Sequence, residues 1–87
     1  MIITELGHCY ITFDNGYTLS IFNGFGSYTE NQFNYTEKIS YKSTRVEIAV
    51  VQDHKFVTRK LIDGLNDDVA IIDINELVGL IKKVSEL

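Results

Sequence analysis

The residues of this chain whose types and spacing could do chemistry are concentrated in one short segment, residues 24–31. Its two glycines permit positive φ angles and a close approach of backbone N–H groups to a ligand, and successive N–H groups in such a turn can bind an anion. Aromatic rings beside them could stack on a nucleobase. The predicted ligand-binding residues are Gly24, Phe25, Gly26, Ser27, Tyr28, Thr29, Asn31 and, if it faces the same pocket, Arg45.

The same segment also has a purely structural interpretation. Gly24-Phe25-Gly26 could form a β-bulge, with the neighbouring rings closing the open end of a sheet. No helical pattern opens after these glycines, so a dinucleotide-binding turn of the Rossmann type is not indicated. Ligand binding and internal packing are therefore both open for residues 24–31.

Catalytic and metal-binding patterns are sparse. His8 and His54 lie far apart and lack the spacing of a zinc site, and His54 falls in a predicted turn. Asp67 and Asp68 are typical of a polar turn before a buried strand. Cys9 is the only cysteine, which excludes an internal disulfide, and it is predicted on an inward strand face with His8 pointing the opposite way. We expect no enzyme activity, no cofactor and no metal.

Composition narrows the classes of partner. The net charge is −4, and no basic footprint for duplex nucleic acid is present. The chain has 87 residues and is predicted to be a single domain, residues 1–87, with a thin core, so we expect a homo-oligomer (a dimer or higher) that adds buried surface. Neither a signal-peptide pattern nor an apolar run of about 20 residues occurs, so we expect no membrane association.

Hydrophobic periodicity predicts an α+β fold. Alternating runs over 9–13 and 17–22 flank Asp14-Asn15-Gly16, which is typical of a β-hairpin. Residues 23–43 form a long irregular segment with five aromatic residues after Gly24. Further strands are predicted over 44–51 and 56–61, and another strand is possible around 35–41. The sequence allows either a short edge strand or a loose arm within 1–7, and either a last strand or a buried lead-in over 69–72.

The C-terminal segment has the strongest helical pattern. Asp73 and Glu76 have the spacing of a capping box, and an apolar stripe follows at helical intervals. That stripe consists of Leu77, Leu80, Ile81, Val84 and Leu87. The predicted architecture is an antiparallel sheet of four to five strands, a hairpin-rich meander, with one C-terminal helix packed on one face.

The order of several short motifs resembles that of a group of small phage-encoded accessory proteins. The motifs are DNGYTLSIFNGFGSYTEN, then VEIAV, then DDV followed by a short helix, and they cover roughly residues 11–22, 24–31, 44–51 and 67–84. The stretch 32–43 departs from the group's shorter form. The matching positions are Asn15, Gly16, Tyr17, Ser20, Gly24, Gly26, Ser27, Tyr28, Asn31, Glu47 and Asp68.

The resemblance implies a bacteriophage or prophage gene acting in the host cytoplasm, in the manner of counter-defence factors. The first hypothesis is a non-catalytic binding protein that sequesters a nucleotide-derived immune signal at the 24–31 loop. The second is a stoichiometric protein–protein inhibitor of a host defence complex, of the anti-CRISPR kind. The third is a structural or regulatory phage protein without an immune role.

Overall fold

A computed structural model describes residues 2–5, 7–23, 44–65 and 67–87. These residues form one antiparallel sheet of six strands, two α-helices and a 3₁₀ turn. In chain order the elements are β1 (Ile2–Glu5), β2 (His8–Thr12), β3 (Tyr17–Phe22), β4 (Arg45–Gln52), β5 (Lys55–Phe56), α1 (Thr58–Leu61), β6 (Ala70–Asp73), the 3₁₀ turn (Ile74–Glu76) and α2 (Leu77–Ser85). The α+β class and the C-terminal helix are confirmed.

The predicted hairpin joins β2 to β3. The Gly16 N–H donates to the Phe13 carbonyl at 3.1 Å, and Gly16 has φ +88°, a left-handed conformation that glycine adopts at little cost. The turn is also tied to the far end of the chain, because Asn15 Nδ2 donates to the Val84 carbonyl oxygen at 2.8 Å. The turn residues therefore fix the hairpin and hold the last turn of α2 against it.

β4 is the centre of the sheet. One edge pairs with β3, which continues through β2 to β1, and the other edge is shared by β5 near Gln52 and β6 near Arg45. Of the two alternatives left open for residues 1–7 and for residues 69–72, the structure has the strand in each case, as β1 and β6. The possible strand around 35–41 lies outside the described residues.

The prediction of a strand over residues 56–61 is wrong beyond Phe56. Residues Thr58–Leu61 form the short helix α1 instead. The apolar alternation of FVTRKL resembles a strand locally, but β6 occupies the β4 edge where a longer β5 would continue. Thr58 is fully buried and hydrogen-bonds Val50 of β4 with its hydroxyl, so the chain turns away there without leaving Val50 unpaired.

Helix α2 covers one face of the sheet, as its apolar stripe predicts. The Asp73 side chain accepts a hydrogen bond from the Asn75 N–H at 2.9 Å and caps the 3₁₀ turn that leads into the helix. Leu80 and Val84 of α2 are buried against the inward residues of the strands. The buried core consists of Leu19, Val46, Ile48, Val50, Val57, Ala70, Leu80 and Val84.

Candidate functional site

The structure describes the two ends of the predicted ligand loop but not the loop residues themselves. Gly24, Phe25, Gly26, Ser27, Tyr28, Thr29 and Asn31 lie outside the described residues. The two ends of that segment are placed, since Phe22 at the end of β3 pairs with Glu47 near the start of β4. The Asn23 N–H donates to the Gly7 carbonyl at 2.9 Å, and the Ile74 N–H donates to the Thr44 carbonyl at 2.7 Å. The described residues that flank 24–43 therefore lie at the same end of the sheet.

Four side chains form a cluster near that end, on the face of the sheet opposite α2. We call His8, Tyr10, Ser20 and Phe22 the His8 cluster. Strand alternation puts all four on one face, because His8 pairs with Phe22 and Tyr10 pairs with Ser20 across the β2–β3 ladder. All four are half-buried, so the cluster is accessible from outside but is held by its neighbours.

The His8 imidazole is the centre of this cluster. It stacks on the Tyr10 ring, with centroids 4.1 Å apart and planes at 28°, and on the Phe22 ring, with centroids 4.8 Å apart and planes at 19°. His8 Nε2 also lies 2.7 Å from Ser20 Oγ, in a hydrogen bond whose direction depends on the imidazole tautomer. Two ring contacts and one short hydrogen bond therefore fix the orientation of the imidazole.

The Tyr10 hydroxyl lies 3.2 Å from His8 Nδ1, but this contact differs from the one to Ser20. The lone pair or proton of Nδ1 lies in the imidazole plane, whereas the stacked Tyr10 ring approaches from above that plane. Hydrogen bonds weaken steeply away from linearity. The bond to Ser20 is therefore the directional one, and the contact to Tyr10 is mainly a stacking contact.

A shallow cavity of about 190 Å³ adjoins the cluster. The strand order places His8 and Phe22 on one side of it and Phe56 of β5 on the other, with Ser20 and Ala49 between them. Phe56 is 57% exposed, and the small side chain of Ala49 leaves room above the sheet. The remaining lining residues are Glu47, Ile48 and Val69.

The acidic residue Glu47 lines this cavity, and the basic residue Arg45 lies two positions away on β4. Arg45 and Glu47 are two apart on β4 and therefore share the helix-free face. Arg45 was predicted to contribute if it faces the pocket of residues 24–31, and those residues lie outside the described part of the chain. Arg45 pairs in register with Asp73 of β6. A ligand on this face would meet a carboxylate at the cavity and a cation at its outer end.

The His8–Ser20 pair invites comparison with an activated nucleophile, in which a histidine accepts the proton of a serine hydroxyl. Such chemistry also needs N–H groups directed at the developing negative charge. Ser20 lies in β3, between β2 and β4, and pairs with Tyr10 and Ala49 across the two ladders. Its strand's N–H groups are used in those ladders, so the arrangement suits binding better than acyl transfer.

The other sequence candidates fall into structural positions. Cys9 lies on the helix-facing side, where it lines a cavity of about 270 Å³ with Ile21, Val46 and Leu77. His54 is exposed in the β4–β5 turn. Asp68 pairs with Arg59 at 3.1 Å on the surface. Within the described part of the chain, no three His, Cys, Asp or Glu side chains are arranged to hold a metal ion.

None of the helices in the described ranges is long and apolar enough to cross a membrane. Comparisons of the chain with protein-family models, with curated proteins and with solved structures gave no match. The resemblance to phage accessory proteins therefore stays a prediction from the sequence.

The sequence contained a signal for the His8 cluster that strand prediction from residue 9 missed. In a hairpin built around the Asp14-Asn15-Gly16 turn, the numbers of two paired residues sum to 30. Thr12 therefore pairs with Thr18, and His8 pairs with Phe22. Extending β2 by one residue to His8 would have placed its ring next to Phe22 and diagonal to Ser20.

Proposed function

We propose that this chain is a non-catalytic binding protein that holds the planar part of a nucleotide-derived ligand against the helix-free face of its sheet. The observation that carries the proposal is the cavity between the ring stack of the His8 cluster and the exposed Phe56 ring. Aromatic surfaces on two sides suit a flat heterocycle, because base–aromatic stacking contributes about 1–3 kcal/mol per base.

The cavity's size limits what it can hold. Its volume of about 190 Å³ is below the roughly 300–1,000 Å³ of pockets that enclose a whole small molecule. One ring system fits, and the remaining sugar and phosphate would extend beyond the cavity. Arg45 and the predicted backbone N–H groups of residues 24–31 would then contact the phosphate. The predicted loop and the cavity would thus bind two different parts of the same ligand.

The resemblance to phage accessory proteins implies the cellular context of this proposal. In the host cytoplasm, a protein that binds a nucleotide-derived immune signal without turning it over would lower the free signal concentration in proportion to its own amount. Antagonism of host antiviral defence by such sequestration is the biological role that we propose.

Thermal unfolding with a panel of cyclic and linear nucleotides tests the proposal. A ligand at 100 times its dissociation constant stabilises the folded state by about 2.7 kcal/mol, so a binding nucleotide raises the melting temperature. Phe56→Ala and Tyr28→Ala should each abolish the shift while the variants stay folded. Val78→Ala, which truncates a side chain that is 75% exposed on α2, is the matched control and should keep the shift. A panel that gives no shift with the wild type contradicts the proposal.

A protein partner is the second candidate, because the same face exposes Phe56 and Ile71. Ile71 pairs with Glu47 and therefore lies on the helix-free side of β6. Apolar and acidic groups on one flat face would suit a basic groove of a host defence protein, as in an anti-CRISPR-like inhibitor. Co-purification of a host protein that is lost in Phe56→Ala, with no nucleotide shift, would favour this function over the first.

A further inference from the structure

Gly79 has no structural reason to be glycine within the described residues. It is the third of the nine residues of α2, and a Cβ built on it meets no described atom within 4 Å. Glycine in a helix interior costs about 0.5–1 kcal/mol relative to alanine. Neither packing against the described residues nor a positive φ explains this cost.

Gly79 borders a groove of about 230 Å³ that runs along α2. Its apolar floor comes from Ile62, Ile72 and Leu80, and its rim carries Glu76 at one end and Lys83 at the other. A side chain at position 79 would stand at the edge of this groove. Glycine therefore leaves the helix backbone open to close approach by another molecule.

The two charges on the rim are arranged symmetrically. Glu76 and Lys83 are seven residues apart, which is about 10.5 Å along a helix axis, and their midpoint falls between Gly79 and Leu80. A second α2 helix laid antiparallel over this midpoint would place its own Lys83 opposite Glu76 and its own Glu76 opposite Lys83. The surface is thus complementary to itself, as an isologous twofold interface requires.

The existing contacts of the two charges are compatible with such pairing. The Lys83 ammonium donates one hydrogen bond to the Leu61 carbonyl oxygen at 2.7 Å, which fixes its side chain and leaves further donors. Glu76 forms no ion pair with any residue that the structure describes. A second copy would provide it with one.

We propose that the Gly79 groove is an interface between two copies of this chain, which pair through antiparallel α2 helices. The contact is small, because a nine-residue helix is about 13.5 Å long. It falls below the roughly 1,200–2,000 Å² buried in stable complexes, so the dimer exchanges with monomer as the concentration changes. This interface is independent of the proposed nucleotide site, which lies on the opposite face of the sheet.

Sedimentation velocity from micromolar to millimolar concentration, combined with thermal unfolding, tests the interface. Gly79→Ala should move the two readouts in opposite directions: the extra Cβ fits the isolated chain and raises its melting temperature, but it weakens association by about tenfold or more through steric separation of the helices. A wild type that is monomeric throughout, or a Gly79→Ala variant that associates like the wild type, overturns the proposal.

Charge reversal gives a second test. Glu76→Lys should weaken association about tenfold through like-charge contact, and combining it with Lys83→Glu should restore association because both pairs re-form with reversed sign. Lys82→Glu changes the net charge as Lys83→Glu does but lies off the groove, so it should associate like the wild type. Failure of a folded double variant to recover association overturns the proposal; if circular dichroism shows that this variant is unfolded, Gly79→Ala decides.

Discussion

The backbone N–H of Val50 donates a hydrogen bond to the side-chain hydroxyl of Thr58 at 2.9 Å, at the point where β4 has neither β5 nor β6 beside it. The Val57 N–H donates to the Val50 carbonyl at 2.8 Å, so both polar groups of Val50 are satisfied. The hydroxyl of the buried Thr58 and the backbone N–H of Val57 therefore provide the hydrogen bonds that a neighbouring strand would otherwise make with Val50.

Thr58→Val should be strongly destabilising although it preserves the shape of the side chain. It leaves the Val50 N–H buried without an acceptor, which costs about 1–3 kcal/mol. Thr58→Ser keeps the hydroxyl and is the control, with a smaller loss from the missing methyl group. Urea denaturation measures both, and equal stability of the two variants would show that the hydroxyl is not required.

Asn15 should stabilise the fold through the helix end as well as through the turn. Its Nδ2 donates to the carbonyl oxygens of Val84 at 2.8 Å and Leu87 at 3.3 Å, and its Oδ1 accepts from the Tyr17 N–H at 3.1 Å. Asn15→Ala should cost about 1–2 kcal/mol. Asn15→Asp keeps the bond to Tyr17 but directs a carboxylate at helix carbonyls, so it should be at least as unstable as Asn15→Ala by urea denaturation. An Asn15→Asp variant with wild-type stability would contradict the role of the amide.

The β4–β5 turn should be open to stabilisation. Asp53 and His54 have φ +51° and +63°, a left-handed conformation that is costly for residues with a Cβ. His54→Gly should raise the melting temperature, with a gain of about 0.5–1 kcal/mol. Replacing Gly16 by a residue that has a Cβ is the opposite change. Its φ is +88° and a Cβ there meets nothing within 4 Å, so this replacement should lower the stability by about 1–2 kcal/mol through backbone conformation alone. Equal melting temperatures for His54→Gly and the wild type would mean that this turn carries little strain.

The ring stack of the His8 cluster should contribute more to stability than the His8–Ser20 bond. His8→Phe keeps an aromatic ring beside Tyr10 and Phe22 and should change stability by about 1 kcal/mol or less. His8→Ala removes both ring contacts and should cost about 1–3 kcal/mol. If thermal unfolding shows that His8→Phe is as unstable as His8→Ala, then the hydrogen bond between His8 and Ser20, and not the ring stack, holds the cluster together.

Local sequence patterns predicted the parts of the fold that local interactions determine. The hairpin follows from alternation around Asp14-Asn15-Gly16, and α2 follows from its stripe and the Asp73 cap. The strand over residues 56–61 was mispredicted because its end depends on β6, which reaches the same edge of β4 from a later part of the chain. The local sequence FVTRKL does not indicate that another strand occupies this edge of β4.

The candidate site was predicted only in part for a similar reason. Arg45 lies on the helix-free face, and its part in ligand binding stays a prediction. The His8 cluster depends on the register between β2 and β3, which brings together residues that are unremarkable one by one. The contacts of Asn15 with Val84 and Leu87 have no local signal, since they join residues from opposite ends of the sequence.

Native mass spectrometry of the protein expressed in bacteria, supplemented with nucleotides, tests the central claim most directly. We predict a bound mass of nucleotide size on the wild type and on Val78→Ala, and its loss in Phe56→Ala. Spectra that show the bare chain in every case, or a bound nucleotide that Phe56→Ala retains undiminished, would contradict a ligand site on the helix-free face of the sheet.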